Sequence, residues 1–453
     1  MFSEVLQKFA DKSPATVMVR GLLEHLLSAE KIDQWFDTVR QAQYTKEILF
    51  SSLVSLMLQV VCKVRISVHM AYLHSDINTS VVAVYDKLKG VETQTSQQLV
   101  RYIAAESESI INPLKGANPP LLPGYRVKFL DGNCIESTEH RLKVLRETAA
   151  GALPGKSLVV FDPALGLAID VFPCEEGHAQ ERALLAAVLA TIQPLDLWVA
   201  DRNFCVLNFL FDIDRKGGFF IIRQHQNMPY NPLSEVIFVG HSATGEVFEQ
   251  PVQLITPAGE TLTARRVIIR LQKPTRNGDL EVAVFTNLAK EAADALTVLD
   301  LYRNRWMIET AFQKLEKHLH SEINTLAYPK AALFGFCLAL VAFNLYAVIM
   351  AALRAAHPDK NINDTVSEYY IAAEISAAYH GMLIAVPETE WHIFTTVSRS
   401  EFSSILLDLS LKMNLSKFKK HKRGPKKPPQ PKTQFIGKPH VSTAKLLALA
   451  SNS

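Results

Sequence analysis

RVKFLDGN (126–133), SLVVFDPALGLAIDVFP (157–173), LDLWVADRNF (195–204) and GGFFIIRQHQ (217–226) carry the reading of the fold. The first is an apolar run that stops on a polar turn. The second is two such runs around DPALG, where Pro and Gly mark a reversal. LDLWVADRNF repeats the first pattern, with an abrupt polar end at Asp201. EEGHAQERALLAAVLATI (175–192) spaces its apolar residues as an amphipathic helix does, and CVLNFLFDIDRK (205–216) reads as a short helix. Strand, strand, strand, helix, strand, helix, strand describes an α/β domain built on a mixed sheet with flanking helices.

Outward from this core the texture changes. Residues 1–118 read as helical: SPATVMVRGLLEHLLS (13–28) and KEILFSSLVSLMLQVVCKV (46–64) show three-to-four-residue apolar spacing, and Ser13 with Pro14 suits an N-cap and first turn. ISVHMAYLHSDINTSVVAVYDKLKGV (66–91) has the outline of a helix-turn-helix, although two packed short helices are the commoner reading. From about 226 to 286, EVIFVG, GEVFEQPVQLIT, TLTARRVIIRLQ and LEVAVFTN alternate like antiparallel strands, a β-rich insertion in a catalytic domain spanning 119–356. From Ala292 the chain is helical again. A helical C-terminal region spans 357–416, and a basic, Pro-containing tail, read as flexible, spans 417–453.

Hydrophobic residues make up 48% and charged residues 21% of the 453, which excludes wholesale disorder and fibrous classes. Cys62, Cys134, Cys174, Cys205 and Cys337 are scattered, with no CxxC pair, so neither a disulfide framework nor a zinc module is indicated and a reducing, cytoplasmic setting is favoured. The net charge of +3 hides an asymmetry: nine basic residues and no acid lie between Lys417 and Lys438, and setting them aside leaves 39 basic residues against 45 acidic. Such a run either contacts a polyanion or is a solvated tail. The opening residues lack the pattern of a signal peptide. Ala331–Leu353 is free of charge over 23 residues, long enough to cross a bilayer, but Gly335, Asn344 and many alanines fit a helix buried in a large domain better, and no membrane is expected as a partner.

Asp131 and Asp201 stand at the polar ends of apolar strands, where open α/β sheets place their sites, although Asp also ends strands as a cap. In LYRNRWMIETAFQKLEK (301–317), at about 100° per residue, Tyr302, Arg305, Glu309 and Glu316 share a face about 60° wide, while Met307, Ile308 and Leu315 point elsewhere and are free to pack. Arg305 and Glu309, four apart, also suit a simple ion pair. Trp306 is expected to pack, Arg202 to pair with an acid, and His140 and His178 to be ordinary polar residues.

Together LDGN, VADRNF and YRNRWMIE, with QYTKEILFSSLV (43–54) and LPGKSLVVFDP (153–163), resemble the DDE transposases of bacterial insertion sequences, and most of all the subgroup named after insertion sequence four. The resemblance covers roughly residues 15 to 350 and implies a ribonuclease-H-like core. Tyr302, Arg305 and Glu309 match its Tyr, Arg, Glu, Lys signature in type and spacing; Glu316 stands where the Lys is expected, with Lys314 and Lys317 beside it. The resemblance implies that Asp131, Asp201 and Glu309 are a catalytic, metal-holding triad. It implies two Mg²⁺ ions, with Mn²⁺ as a substitute, serving in-line displacement at phosphorus. It further implies that Tyr302 and Arg305 contact DNA, with Lys314 or Lys317 supplying the missing lysine contact. Lys419, Lys420, Lys422 and Arg423 of the tail are expected to neutralise phosphates without reading sequence. The implied partners are double-stranded DNA, as terminal inverted repeats and as target, and a second copy of the chain on that DNA. Relatives that cut through a DNA hairpin hold a base on a Trp in the insertion; here Trp35, Trp198, Trp306 and Trp391 all lie outside it. The alternatives are a non-catalytic DNA-binding relative acting as repressor or scaffold, and a membrane protein using 331–353.

Overall fold

The computed structural model describes residues 2–43, 47–136, 142–146, 148, 151–275, 278–421 and 440–452. Seven helices come first: α1 Glu4–Lys12, α2 Pro14–Leu27, α3 Ala29–Val39, α4 Phe50–Val61, α5 Val68–Tyr72, α6 Val81–Lys89 and α7 Thr93–Leu114. Helix α2 starts at Pro14, but the Ser13 hydroxyl caps no amide; it bonds the Thr16 hydroxyl at 2.7 Å and the Glu374 carboxylate at 2.9 Å instead. The segment outlined as a helix-turn-helix is a five-residue α5 and a nine-residue α6 separated by residues 73–80, longer than the three- or four-residue turn of that motif.

The sheet strands are β1 Arg126–Ile135, β2 Gly155–Asp162, β3 Leu167–Cys174, β4 Asp196–Ala200, β5 Phe219–Arg223, β6 Ile237–Ser242, β7 Gly245–Ile255, β8 Thr261–Leu271 and β9 Glu281–Thr286. The order runs β3-β2-β1-β4-β5-β9-β8-β7, with β6 and the short Asn231–Pro232 strand both on β7. β1, β4 and β5 are parallel to one another, while β1–β2 and β2–β3 are antiparallel. The β-rich insertion is not a separate layer, because β9 pairs antiparallel with β5 and so continues the core sheet. The expected helix over 175–192 is shorter than its apolar spacing suggested: a 3₁₀ turn at Glu181–Leu184 leads into a helix of only five residues, Leu185–Leu189.

Alternate strand residues feed two cores. Val127, Phe129, Val159, Leu197, Val199 and Ile221 join a cluster of buried residues running from Leu6 to Phe418, whereas Leu130, Leu158, Val160, Trp198, Phe220 and Ile222 pack against α8 (Leu207–Arg215) on the other face. The stretch 301–317, expected as one helix, is divided between two, α9 Ala295–Asn304 and α10 Trp306–His318, meeting at Arg305.

Helix α11, Pro329–Ala356, holds the charge-free stretch, and its most apolar window lies wholly inside the protein. Asn344 explains why one amide belongs there. Its Oδ1 accepts from the Ala168 N–H at 2.9 Å and its Nδ2 donates to the Ala168 carbonyl at 2.9 Å, which satisfies the outer edge of β3. Arg101 of α7 grips Asp170 on the same strand with two bonds, 2.7 and 2.8 Å. Helices α12 Glu368–Ala385 and α13 Arg399–Lys412 follow.

The start of the basic tail is ordered, against expectation: Phe418 is buried and its carbonyl accepts from Ser367 N–H, while the Lys420 N–H donates to the Thr365 carbonyl. Val441–Ser442 pairs with Ala152–Leu153 and leads into a helix, Thr443–Ser451. Lys422, Arg423 and the other cations up to Lys438 lie outside the described residues.

Candidate active site

Parallel pairing between β1 and β4 ends at Leu130 opposite Ala200. Asp131 and Asp201 are the next residues on each chain, so they stand side by side where two neighbouring strands part. Asp131 is not at a strand end, as the sequence suggested: β1 continues to Ile135 because β2 offers it a partner as far as Gly155. Asp201 does leave its strand and caps the 3₁₀ turn Arg202–Phe204, its Oδ1 accepting from the Asn203 N–H at 2.8 Å.

The third carboxylate arrives with α10. Around Arg305 the backbone tightens, with Arg305 N–H bonded to the Tyr302 carbonyl and Ile308 N–H to the Arg305 carbonyl, each across three residues. Arg305 is 8% exposed, and its guanidinium reaches in two directions: Nη1 donates to Asp131 Oδ2 at 2.9 Å and Nη2 to Glu309 Oε1 at 2.6 Å. Its Nε has no hydrogen-bond partner although buried. Tyr302, half-buried, and Trp306 flank the guanidinium at 5.9 and 5.8 Å from their ring centres.

Burial pushes the Asp131 carboxyl up to about 7, with the like charges of Asp201 and Glu309 adding to the shift and Arg305 and the Gly132 N–H opposing it. Burial likewise raises the Tyr302 hydroxyl. Among the described residues no three carboxylate, imidazole or thiol groups converge closely enough to ligate one ion as placed. As donors, the carboxylates of Asp131, Asp201 and Glu309 suit a hard divalent cation. As arranged, Arg305 occupies the space between two of them.

Other expected residues fall less centrally. Lys314 is tied to Glu368 of α12 at 2.6 Å, Lys317 and Glu316 are exposed near the end of α10, and Lys419 sits in a β-bridge with Val366. Lys314 and Lys420 line a groove of about 370 Å³ with Arg303, Trp306, Met307, Arg354 and Glu368. Trp306 is 60% exposed and Met307 36%, so neither packs as the helical spacing implied; Ile308 and Leu315 are buried. Arg202 is exposed and makes no ion pair among the described residues. His178 is an exposed polar residue, and His140 lies outside the described residues.

One acid escaped the sequence reading. Glu181, in the 3₁₀ turn after β3, presses so closely on Gly132 that an added Cβ there would fall 2.1 Å from its Oε1. Burial and the nearby Asp201 raise its carboxyl, and Asn203 Nδ2 donates to it at 3.4 Å. The glycine directly after Asp131 was the available signal.

The strand order, the two aspartates at the parting of β1 and β4, and the acid on a helix beyond the sheet define a ribonuclease-H-like α/β domain. Residues 124–345, just under half of the chain, match the family model described as the transposase DDE domain. No curated protein matches the sequence.

Proposed function

We propose that the protein is the transposase of an insertion sequence, cutting DNA strands at the element's ends and joining the freed 3′-hydroxyl to target DNA. The observation that carries this reading is the gathering of Asp131 and Glu309 on one guanidinium, with Asp201 at the neighbouring strand end. In this reading Asp131, Asp201 and Glu309 hold two Mg²⁺ ions, or Mn²⁺, which when bound activate the attacking oxygen and stabilise the leaving one.

The chain's own residues do the rest. Arg305 and Tyr302 face the scissile phosphate, with the Arg305 fork suited to two phosphate oxygens and the Tyr302 hydroxyl to one. Trp306 presents a flat exposed face at the mouth of the site, suited to a base or sugar. Arg303, Lys314, Arg354 and Lys420 make the adjoining groove a path for a phosphate backbone. The tail cations Lys422 and Arg423, with Lys419, add affinity without sequence preference, and Lys317 serves the DNA from the end of α10. The protein acts in the cytoplasm as a dimer on DNA.

The test is a nicking and strand-transfer assay on duplexes carrying the element's terminal repeats, with and without Mg²⁺. Metal-dependent cuts at the repeat ends support the reading. Sequence-specific binding with no cut in Mg²⁺ or Mn²⁺ would leave a non-catalytic relative instead.

A further inference from the structure

The carboxylates expected to share metal ions hold a side chain between them instead. Arg305 spans Asp131 and Glu309 with one nitrogen each, and both contacts are short. A guanidinium carries one positive charge and blocks the approach of oxygen ligands to a common centre; two metal ions would bring four charges to the same carboxylates. The two occupations exclude each other, since a cation a few ångströms from Mg²⁺ in a half-buried site is strongly repelled.

The arginine is also held incompletely. Its Nε is buried with no acceptor, so the fork is used as two separate single contacts and not as the paired contact that an oxyanion would accept. Arg305 sits at the junction of α9 and α10, where three-residue hydrogen bonds replace regular helical ones, and exposed Trp306 follows it directly. The side chain is therefore mounted at a break in the helix, beside the mouth through which DNA would enter.

We infer that Arg305 gates the metal site: in the DNA-free protein it stands in for the metal between Asp131 and Glu309, and a DNA phosphate draws it out so that divalent ions bind in its place. This rests on the reading of Asp131 and Glu309 as metal ligands. It adds an order of events, DNA before full metal loading, and a thermodynamic coupling between the two. By reciprocity, metal must tighten DNA binding by the same factor. The protein alone, charged with Mg²⁺, is thereby kept from acting as a free nuclease.

The experiment is a Mn²⁺ titration of the full chain, followed by electron paramagnetic resonance, with and without a duplex carrying the element's terminal repeat. Mn²⁺ bound by the duplex with the Asp131→Asn protein serves as the blank. The duplex should tighten Mn²⁺ binding to the native protein by about tenfold or more, within the range usual for coupled sites. Arg305→Gln should raise Mn²⁺ affinity of the DNA-free protein by a similar factor and remove most of the duplex effect. An equal Mn²⁺ affinity of the native protein with and without duplex would overturn the gate, and this measurement stands even where Arg305→Gln fails to fold. A folded Arg305→Gln protein that binds Mn²⁺ no more tightly than the native one would overturn it as well. Failure of the underlying reading looks different: Asp131→Asn would then bind Mn²⁺ as the native protein does, in both conditions.

Discussion

Two arginines reach the same sheet from helices, and they are used in opposite ways. Arg101 of α7 takes both oxygens of Asp170 in a parallel, two-bond grip on the edge strand β3. Arg305 divides itself between carboxylates from two different elements and leaves Nε without a partner. The first arrangement is closed and has one geometry that satisfies it. The second holds together acids that repel one another, and removing its cation frees a site. Ion pairs alike in distance thus differ in what surrounds them: one fastens a strand, the other, on the proposed reading, occupies the position a divalent ion would take.

The sharpest way to break this contrast is at the acids. Asp131→Ala, Asp201→Ala and Glu309→Ala should each lower metal-dependent strand cleavage by about a thousandfold or more, as loss of a principal electrostatic group does, while Asp170→Asn leaves cleavage per folded molecule unchanged. Near-normal cleavage by any of the three removes that residue from the site.

Stability should divide the arginines the other way. Arg101→Met strands the Asp170 carboxylate, which is almost fully buried, and should cost about 2–4 kcal/mol in chemical denaturation, the usual cost of breaking a buried pair reduced for the partial exposure of Arg101. Arg305→Gln should cost less, because Asp131 already sits near 7 and takes up a proton in place of its partner. Equal losses would show that Arg305 is a structural tie.

Asn344→Leu sets the edge strand against its amide cap. Two backbone groups of Ala168 lose their partners, and a loss of about 1–3 kcal/mol is expected.

Acid should act through histidine. Burial lowers His318 to about 4 and also lowers His25 and His320, so the folded state prefers them neutral. Their contribution is fully present above about 6.5, the unfolded value, and is lost as pH falls from there toward 4. His318→Gln should flatten the fall in melting temperature across that window; an unchanged profile assigns the effect elsewhere. The smallest effect concerns the tail: neutralising Lys422, Arg423, Lys426, Lys427, Lys432 and Lys438 should flatten the salt dependence of DNA binding by about two to four in logarithmic slope, equally on repeat and random duplexes. Selective loss on the repeat would make the tail a sequence reader.

Much of this was legible in the chain. Apolar runs with abrupt polar ends placed β1 to β5, alternation placed the insertion strands, and 3.6-residue spacing placed the helices, because burial on both faces, on one face or along one stripe imposes these patterns. What failed depended on partners distant in sequence. The continuation of β1 past Asp131 is decided by β2, and the shortening of the helix after β3 accompanies the seating of Glu181 on Gly132. Spacing marked Tyr302, Arg305 and Glu309 as one face, but spacing could not show that Arg305 also reaches Asp131, 174 residues away. Trp306 and Met307 broke the packing expectation beside the site: both are exposed, and helical spacing alone does not show which flank of a helix the rest of the chain covers.

The early helices find their packing partners near the other end of the chain. Arg20 of α2 pairs with Glu388, the ring of His25 stacks on Phe402 at 4.2 Å, and Gly21 leaves room for the Phe394 ring. On a ribosome adding about 5–20 residues per second, α2 emerges some tens of seconds before those partners exist. During that interval its apolar face has only its neighbours α1 and α3 to lie against, and the part that the later helices cover stays open. Production of this protein should therefore respond to translation speed and chaperone supply more than its finished core would suggest, and a truncated product ending before residue 388 would carry an open, sticky face.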